Sequence, residues 1–273
     1  MKYWIPDLLL ATQLPPQQAL EDKLGGLPWG LPEGLWPICS SCDSPQPLLA
    51  QFTHHPERLD LGSGGRVLFL FMCDSDGMCP SWEGGGGSNA CLILPGDALT
   101  ATLTAPPDGD IELQPEARVR RWLERDDEVP ENLYQRFFDE ESILSLPEDV
   151  MSKVNTSTRL GGVPRWIQSA DEGPGDGWRF IGQLDSVYNF YSPVPSPDEI
   201  GCQIGREVNG QYIYDQPITK KAGAPNRAFI DEEKYEGRNW LTEGPNFGDG
   251  GLGYIFVRTI SGEPEGWFFW QCL

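Results

Sequence analysis

Lys23-Leu24-Gly25-Gly26-Leu27-Pro28-Trp29 returns, little changed, as Arg159-Leu160-Gly161-Gly162-Val163-Pro164-Arg165-Trp166. The two Leu-Gly-Gly units begin 136 residues apart in a chain of 273, half its length. Their surroundings repeat in the same order. Pro47-Leu48-Leu49-Ala50-Gln51-Phe52 follows the first unit, and Trp178-Arg179-Phe180-Ile181-Gly182-Gln183-Leu184 follows the second. Each is a short apolar segment in which a Gln is followed by an apolar residue. Gly64-Gly65-Arg66-Val67-Leu68-Phe69-Leu70-Phe71 then corresponds to Gly250-Gly251-Leu252-Gly253-Tyr254-Ile255-Phe256-Val257. Three motifs recurring in one order read as an internal duplication. Gly-Gly before an apolar residue and Pro predicts a turn with unusual dihedrals, then a rigid extended segment. The Gln ending each buried strand is suited to hydrogen-bond backbone groups of that turn. Val67–Met72 and Tyr254–Val257 are unbroken apolar runs, as expected of central strands buried on both faces.

The expected fold class is therefore α+β and mostly β: two tandem copies of one β-rich unit with a few connecting helices. The 32 Gly and 25 Pro argue against a helical bundle, since both residues penalise helix interiors. Ten Trp, 12 Phe and 8 Tyr supply too much apolar surface for a disordered chain. The first copy is expected over residues 1–110, a helical connector over 111–156, and the second copy over 157–273 with an insert at about 192–246, the copies packing as one globule. Within the connector, apolar residues at 119, 122 and 123 predict an amphipathic helix over Pro115–Arg125, with further helices over Asn132–Glu141 and Glu148–Val154. Glu83–Ser88 and Pro193–Pro197 read as loops. The four-glycine run in the first lacks the Gly-Lys-Ser/Thr ending of a phosphate-binding loop.

Of seven cysteines, Cys39-Ser40-Ser41-Cys42 form a CxxC knuckle, and Cys73 and Cys79 follow the Val67–Met72 run across a turn containing Gly77. Two close thiol pairs on separate turns predict a structural four-cysteine zinc site of Cys39, Cys42, Cys73 and Cys79, ahead of a redox CxxC, which lacks a βαβ context, and of ordinary buried cysteines. Cys91 is an alternative ligand, and His54 or His55 a further one. An odd cysteine count argues against a complete disulfide framework. The second copy lacks these cysteines, so only the first can hold the metal.

The net charge is −21, shared almost equally between the halves. Such a surface repels nucleic-acid phosphates and anionic membranes, and it either attracts a basic protein partner or serves solubility alone. No apolar stretch approaches the roughly 20 residues of a membrane span. Pro6 and Asp7 interrupt the apolar N-terminal residues before they reach signal-peptide length, so this segment is read as part of the fold and the protein as cytoplasmic. His54 and His55 are the only histidines, and no Gly-x-Ser-x-Gly elbow accompanies them. Asp74 with Asp76 reads as turn chemistry, and Trp29, Trp166, Trp178 and Trp240 as core or interface anchors. The reading is of a non-enzymatic binding protein, with a hydrolase-type enzyme as a weaker alternative.

Together these residues resemble the YwqG-like family, a bacterial domain of unknown function. The first copy also resembles the opening of the programmed-cell-death-2 family: Leu24-Gly25-Gly26-Leu27-Pro28, Cys39-x-x-Cys42, Pro47–Gln51, then a strand entering Cys73. Gly161–Pro164, Phe180–Gln183 and Gly253–Phe256 are closer to the plain YwqG pattern. The resemblance implies a duplicated, mostly β fold. From the eukaryotic relatives it implies chaperone-like escort of a basic ribosomal protein, and from the bacterial ones an immunity protein of a toxin system. The chain departs from the eukaryotic pattern in having a single, first-half cysteine set.

Overall fold

The computed structural model describes residues 1–62, 65–75, 79–190, 197–209, 211–214, 220–221, 224, 227–231, 238–241 and 244–273. The chain is mostly β. Its strands are β1 (Lys2–Leu10), β2 (Lys23–Leu24), β3 (Leu48–Thr53), β4 (Val67–Met72), β5 (Asn89–Leu94), β6 (Ala117–Asp126), β7 (Arg159–Gly161), β8 (Arg179–Asp185), β9 (Tyr188–Phe190), β10 (Gln203–Val208), β11 (Gln211–Tyr214), β12 (Arg227–Asp231), β13 (Arg238–Leu241), β14 (Leu252–Ile260) and β15 (Glu263–Gln271). The described helices are short: α1 (Glu140–Leu144), α2 (Glu148–Met151), α3 (Pro197–Ile200) and several 3-10 turns, of which Glu131–Phe138 is the longest. None is long and apolar enough to cross a membrane.

Ten strands form one antiparallel sheet in the order β15-β14-β8-β7-β1-β6-β2-β3-β4-β5. Outward from the central β1–β6 pair, the two arms mirror each other. Each has a two- or three-residue strand carrying a basic residue and the Leu of its Leu-Gly-Gly unit, then the Gln strand, then a long apolar strand, then an edge strand. The edges curl together. A Cβ at Gly266 of β15 would stand 2.2 Å from the Sγ of Cys91 on β5, so only glycine allows the approach that nearly closes the barrel. Five strands drawn from 188–241 make a second sheet, β11-β10-β12-β13-β9. Four of these come from the insert expected at 192–246. The loop expected at Pro193–Pro197 lies outside the described residues, Pro197 excepted.

Alternation along the strands explains the apolar runs. In β4, Leu68, Leu70 and Met72 enter the central core with Leu8, Phe52, Ile181, Ile204 and Phe268. Val67, Phe69 and Phe71 face the other way, onto Leu31, Leu48 and Trp36. All six are buried. On β14, Ile255 and Val257 face the central core, while Leu252, Tyr254 and Phe256 pack with Trp166, Phe180 and Phe269. Burying such side chains contributes about 1.5–3 kcal/mol each, and these two strands do so on both faces.

The helix expected over Pro115–Arg125 is instead strand β6, paired with β1 on one side and β2 on the other. The helix-like spacing has a physical origin in a bulge. The β1–β6 register shifts between Asp7 and Leu8, leaving Arg120 as an extra residue on β6. Arg120 and Arg121 both turn toward the fully buried Asp7 carboxylate, the Nε of each at 3.1 Å. That bulge breaks the period-two pattern and brings apolar positions to a three-residue interval. The expected connector is thus helical only beyond β6, where the 131–138 turn, α1 and α2 bury Phe137, Leu146 and Val150.

Candidate metal centre

The Cys39–Cys42 knuckle is a tight turn. The Cys39 N–H donates to Ser44 O (2.9 Å), the Asp43 N–H to Cys39 O (2.9 Å), and Asp43 takes a φ of 59°. Two neighbouring segments tie it down. Ser40 N–H donates to Gly87 O (3.0 Å), Gln46 Nε2 to Gly87 O (3.0 Å), and Cys73 N–H, just past β4, to Ser88 O (2.8 Å). The apolar strand and the glycine run therefore converge on the knuckle. The turn around Gly77, and Asp76 with it, lie outside the described residues.

The result brings all four expected cysteines together. The sulfurs of Cys39, Cys42, Cys73 and Cys79 lie within 4.8 Å of one another, with Cys42 and Cys73 at 3.6 Å. A tetrahedron with metal–sulfur bonds of about 2.3 Å has sulfurs roughly 3.8 Å apart, so little contraction completes it. All are free thiols, and Cys39, Cys73 and Cys79 are buried while Cys42 is half-buried. Their acidities differ. Burial works to raise Cys42, but hydrogen bonds from the Ser44 hydroxyl and backbone, and from Ser75, outweigh it and hold the thiol at about 6. Cys39 is lowered against the same burial by the Ser88 hydroxyl, 3.4 Å away. Burial, reinforced by the neighbouring sulfurs, pushes Cys73 up, and burial lifts Cys79 to about 11. Without a cation the pocket holds only part of its charge. A soft dication resolves this by ionising all four, and the all-sulfur set fits zinc.

The other suggested ligands lie elsewhere. Cys91 sits at the barrel seam against Gly266, its thiol pushed up by burial. His54 Nδ1 accepts from Leu61 N–H (3.1 Å) and His55 Nδ1 from Glu57 N–H (3.2 Å), so both brace their loop. Asp74 accepts from Gln114 Nε2 (3.3 Å) and Asn246 Nδ2 (3.4 Å), and burial raises its pKa. Among the tryptophans, Trp166 is in the core, Trp29 is half-buried, and Trp178 is half-buried beneath the Arg258 guanidinium, 4.3 Å from its ring centroid. The Trp240 side chain lies outside the described residues.

A second arrangement occurs once in each arm. Gly25 and Gly26 (φ 61° and 68°), like Gly161 and Gly162 (80° and 70°), take the left-handed conformation expected of the turn. Gln51 Oε1 accepts from Trp29 N–H (2.7 Å), and Gln183 Oε1 from Arg165 N–H (3.0 Å). The amide of Gln51 donates to Glu21 O (2.9 Å), and that of Gln183 to Asn155 O (3.1 Å) and Ser157 O (3.2 Å). Sequence reasoning anticipated the glutamines but overlooked the cations beside them. Lys23 Nζ, fully buried, donates to Leu27 O and to Gln17 Oε1 (2.7 Å), while Arg159 Nη2, also buried, donates to Val163 O. The basic residue directly before each Leu-Gly-Gly was the available signal.

The glycine run has a steric purpose. A Cβ at Gly84 would stand 2.2 Å from Cε2 of Trp267 on β15, and one at Gly87 would stand 2.4 Å from Ser40 Oγ. The run thus threads between the cysteine knuckle and the barrel seam. Comparison with protein-family models, with curated proteins and with solved structures finds no match to this chain.

Proposed function

We propose that the chain is a zinc-stabilised, twofold-repeated β scaffold that binds a basic protein through its acidic surface. The observation that carries this reading is the net charge of −21, spread evenly over both halves. A field of that sign raises encounter rates with cationic partners and disfavours nucleic acid. The duplication draws support from the mirrored strand order and from the matched Lys23–Gln51 and Arg159–Gln183 locks. The metal draws support from the four converging thiols, three of them buried, an arrangement suited to a closed structural site rather than an open catalytic one. A non-enzymatic role is supported by the engagement of both histidines in backbone bracing.

The resemblance to YwqG-like and programmed-cell-death-2 proteins gives this reading two forms in the cytoplasm: immunity against a basic toxin, or escort of a basic ribosomal protein. The test is capture from the native host at low salt, followed by association kinetics with the recovered partner. A basic partner whose association slows markedly with added salt is the expected result. Recovery of no basic protein, or a salt-insensitive rate, would overturn the reading.

A further inference from the structure

We propose that the cavity of about 730 Å³ at the barrel seam, lined by Trp82, Trp267 and Trp270 and edged by Glu83 and Glu172, receives an arginine side chain of the bound protein. This deepens the proposed function and rests on its basic-partner reading. The walls are aromatic. Trp82 and Trp270 meet edge to face, with centroids 6.3 Å apart and planes at 86°, forming a corner of two indoles. Trp82 is 45% exposed, unusual for the largest apolar side chain. Its position is nonetheless fixed. Asn89 Nδ2 donates to both flanking carbonyls, Ser81 O (2.8 Å) and Glu83 O (2.9 Å), and Trp270 Nε1 lies 3.4 Å from Ser81 Oγ. A large indole held at the surface by its own backbone anchors is a preformed contact that little entropy is lost in using.

The charge decides the occupant. Glu83 is exposed at the rim, and Glu172, also exposed, has one carboxylate oxygen bound by Gln271 Nε2 (2.8 Å). Indole faces with adjacent carboxylates match a guanidinium, which stacks on aromatic rings while donating in its plane. The same row already uses this chemistry internally: Trp178, 5.6 Å from Trp267, carries the Arg258 guanidinium on its face. Trp82 lies three residues beyond Cys79, so the cysteine cluster and the cavity share one loop. Ser81 N–H donates to Cys79 O (2.7 Å), so the cysteine cluster anchors the loop that carries the Trp82 wall.

The test is fluorescence anisotropy of a labelled oligoarginine peptide with the full chain at low salt. Four proteins are compared: the unaltered chain, Trp82→Ala, Glu83→Gln with Glu172→Gln, and Glu33→Gln with Asp97→Asn as a control removing two exposed charges outside the cavity. Circular dichroism and melting temperature verify folding, which the exposed positions of all these changes favour. Affinity about tenfold weaker in Trp82→Ala and in the rim pair, and near-normal in the control, is the expected pattern. Equal weakening by the rim and control pairs with no effect of Trp82→Ala would overturn the cavity proposal and leave the diffuse acidic surface as the binding element. No binding by the unaltered chain would overturn the basic-partner reading, and the cavity with it. An oligolysine peptide bound as tightly as oligoarginine, with equal sensitivity to Trp82→Ala, would refute the arginine assignment.

Discussion

Replacing Gln51 or Gln183 with leucine removes an amide while nearly preserving its volume, which isolates hydrogen bonding from cavity formation. Both side chains are fully buried. Gln51→Leu leaves Trp29 N–H and Glu21 O without their partner, and Gln183→Leu leaves Arg165 N–H, Asn155 O and Ser157 O. An orphaned buried group costs about 1–3 kcal/mol, and since most of these bonds are only part-buried, about 1–2 kcal/mol each gives expected losses of roughly 2–4 and roughly 3–6 kcal/mol. For a chain of this size, at about 2–4 °C per kcal/mol, the melting temperature falls by on the order of 5–20 °C. Thermal and urea unfolding of both single variants and the double variant provide the assay. The glutamines serve different arms, so their effects are expected to add within about 0.5 kcal/mol. If either single variant stays within about 0.5 kcal/mol of the parent, the strand-to-turn lock does not stabilise the fold and the matched-arm reasoning fails.

Lys23→Met should destabilise by about 3–5 kcal/mol in chemical denaturation, because it strips a buried cation from Glu116 and Leu27 O. Burial holds the Lys23 pKa below the ordinary lysine value. Between the folded and unfolded pKa values the unfolded chain binds more protons, so stability rises with pH there; a pH–stability profile should lose that slope in Lys23→Met. In metal-stripped protein near neutral pH, Cys42 should alkylate first, since its thiol sits at about 6 and is half-exposed, and peptide mapping that finds Cys73 modified first would contradict this. Gly84→Val should open the barrel seam by driving a side chain into Trp267, read as a red shift in tryptophan emission and a lowered melting temperature. An unchanged spectrum would show that the seam does not need that contact.

Much of the scaffold was legible because local chemistry dictates it. Paired glycines before Leu-Pro or Val-Pro demand left-handed turns, and six consecutive apolar residues at Val67–Met72 demand burial on both faces. The cysteines were legible from spacing, since two thiol pairs on turns, one before β3 and one after its antiparallel partner β4, can converge. The β6 strand was not. Its bulge at Arg120 gives a helical apolar interval, and the reason for that bulge, the buried Asp7, lies over a hundred residues away. The same pairing hid β1, where Pro6 and Asp7 read as interruptions but the carboxylate is neutralised by two arginines. Lys23 and Arg159 escaped notice because charged residues ordinarily mark solvent, whereas here backbone carbonyls of the turn hold them inside. The Trp82 cavity depends on two sheet edges meeting, which no local pattern encodes.

The most direct test of the central claim is the metal content of the purified full chain, measured by mass spectrometry beside that of Cys39→Ser. One zinc per chain in the parent, largely lost in the variant together with a lowered melting temperature, is the expected result. A parent that carries no stoichiometric zinc after refolding in its presence, and melts where Cys39→Ser melts, would contradict the metal-closed scaffold.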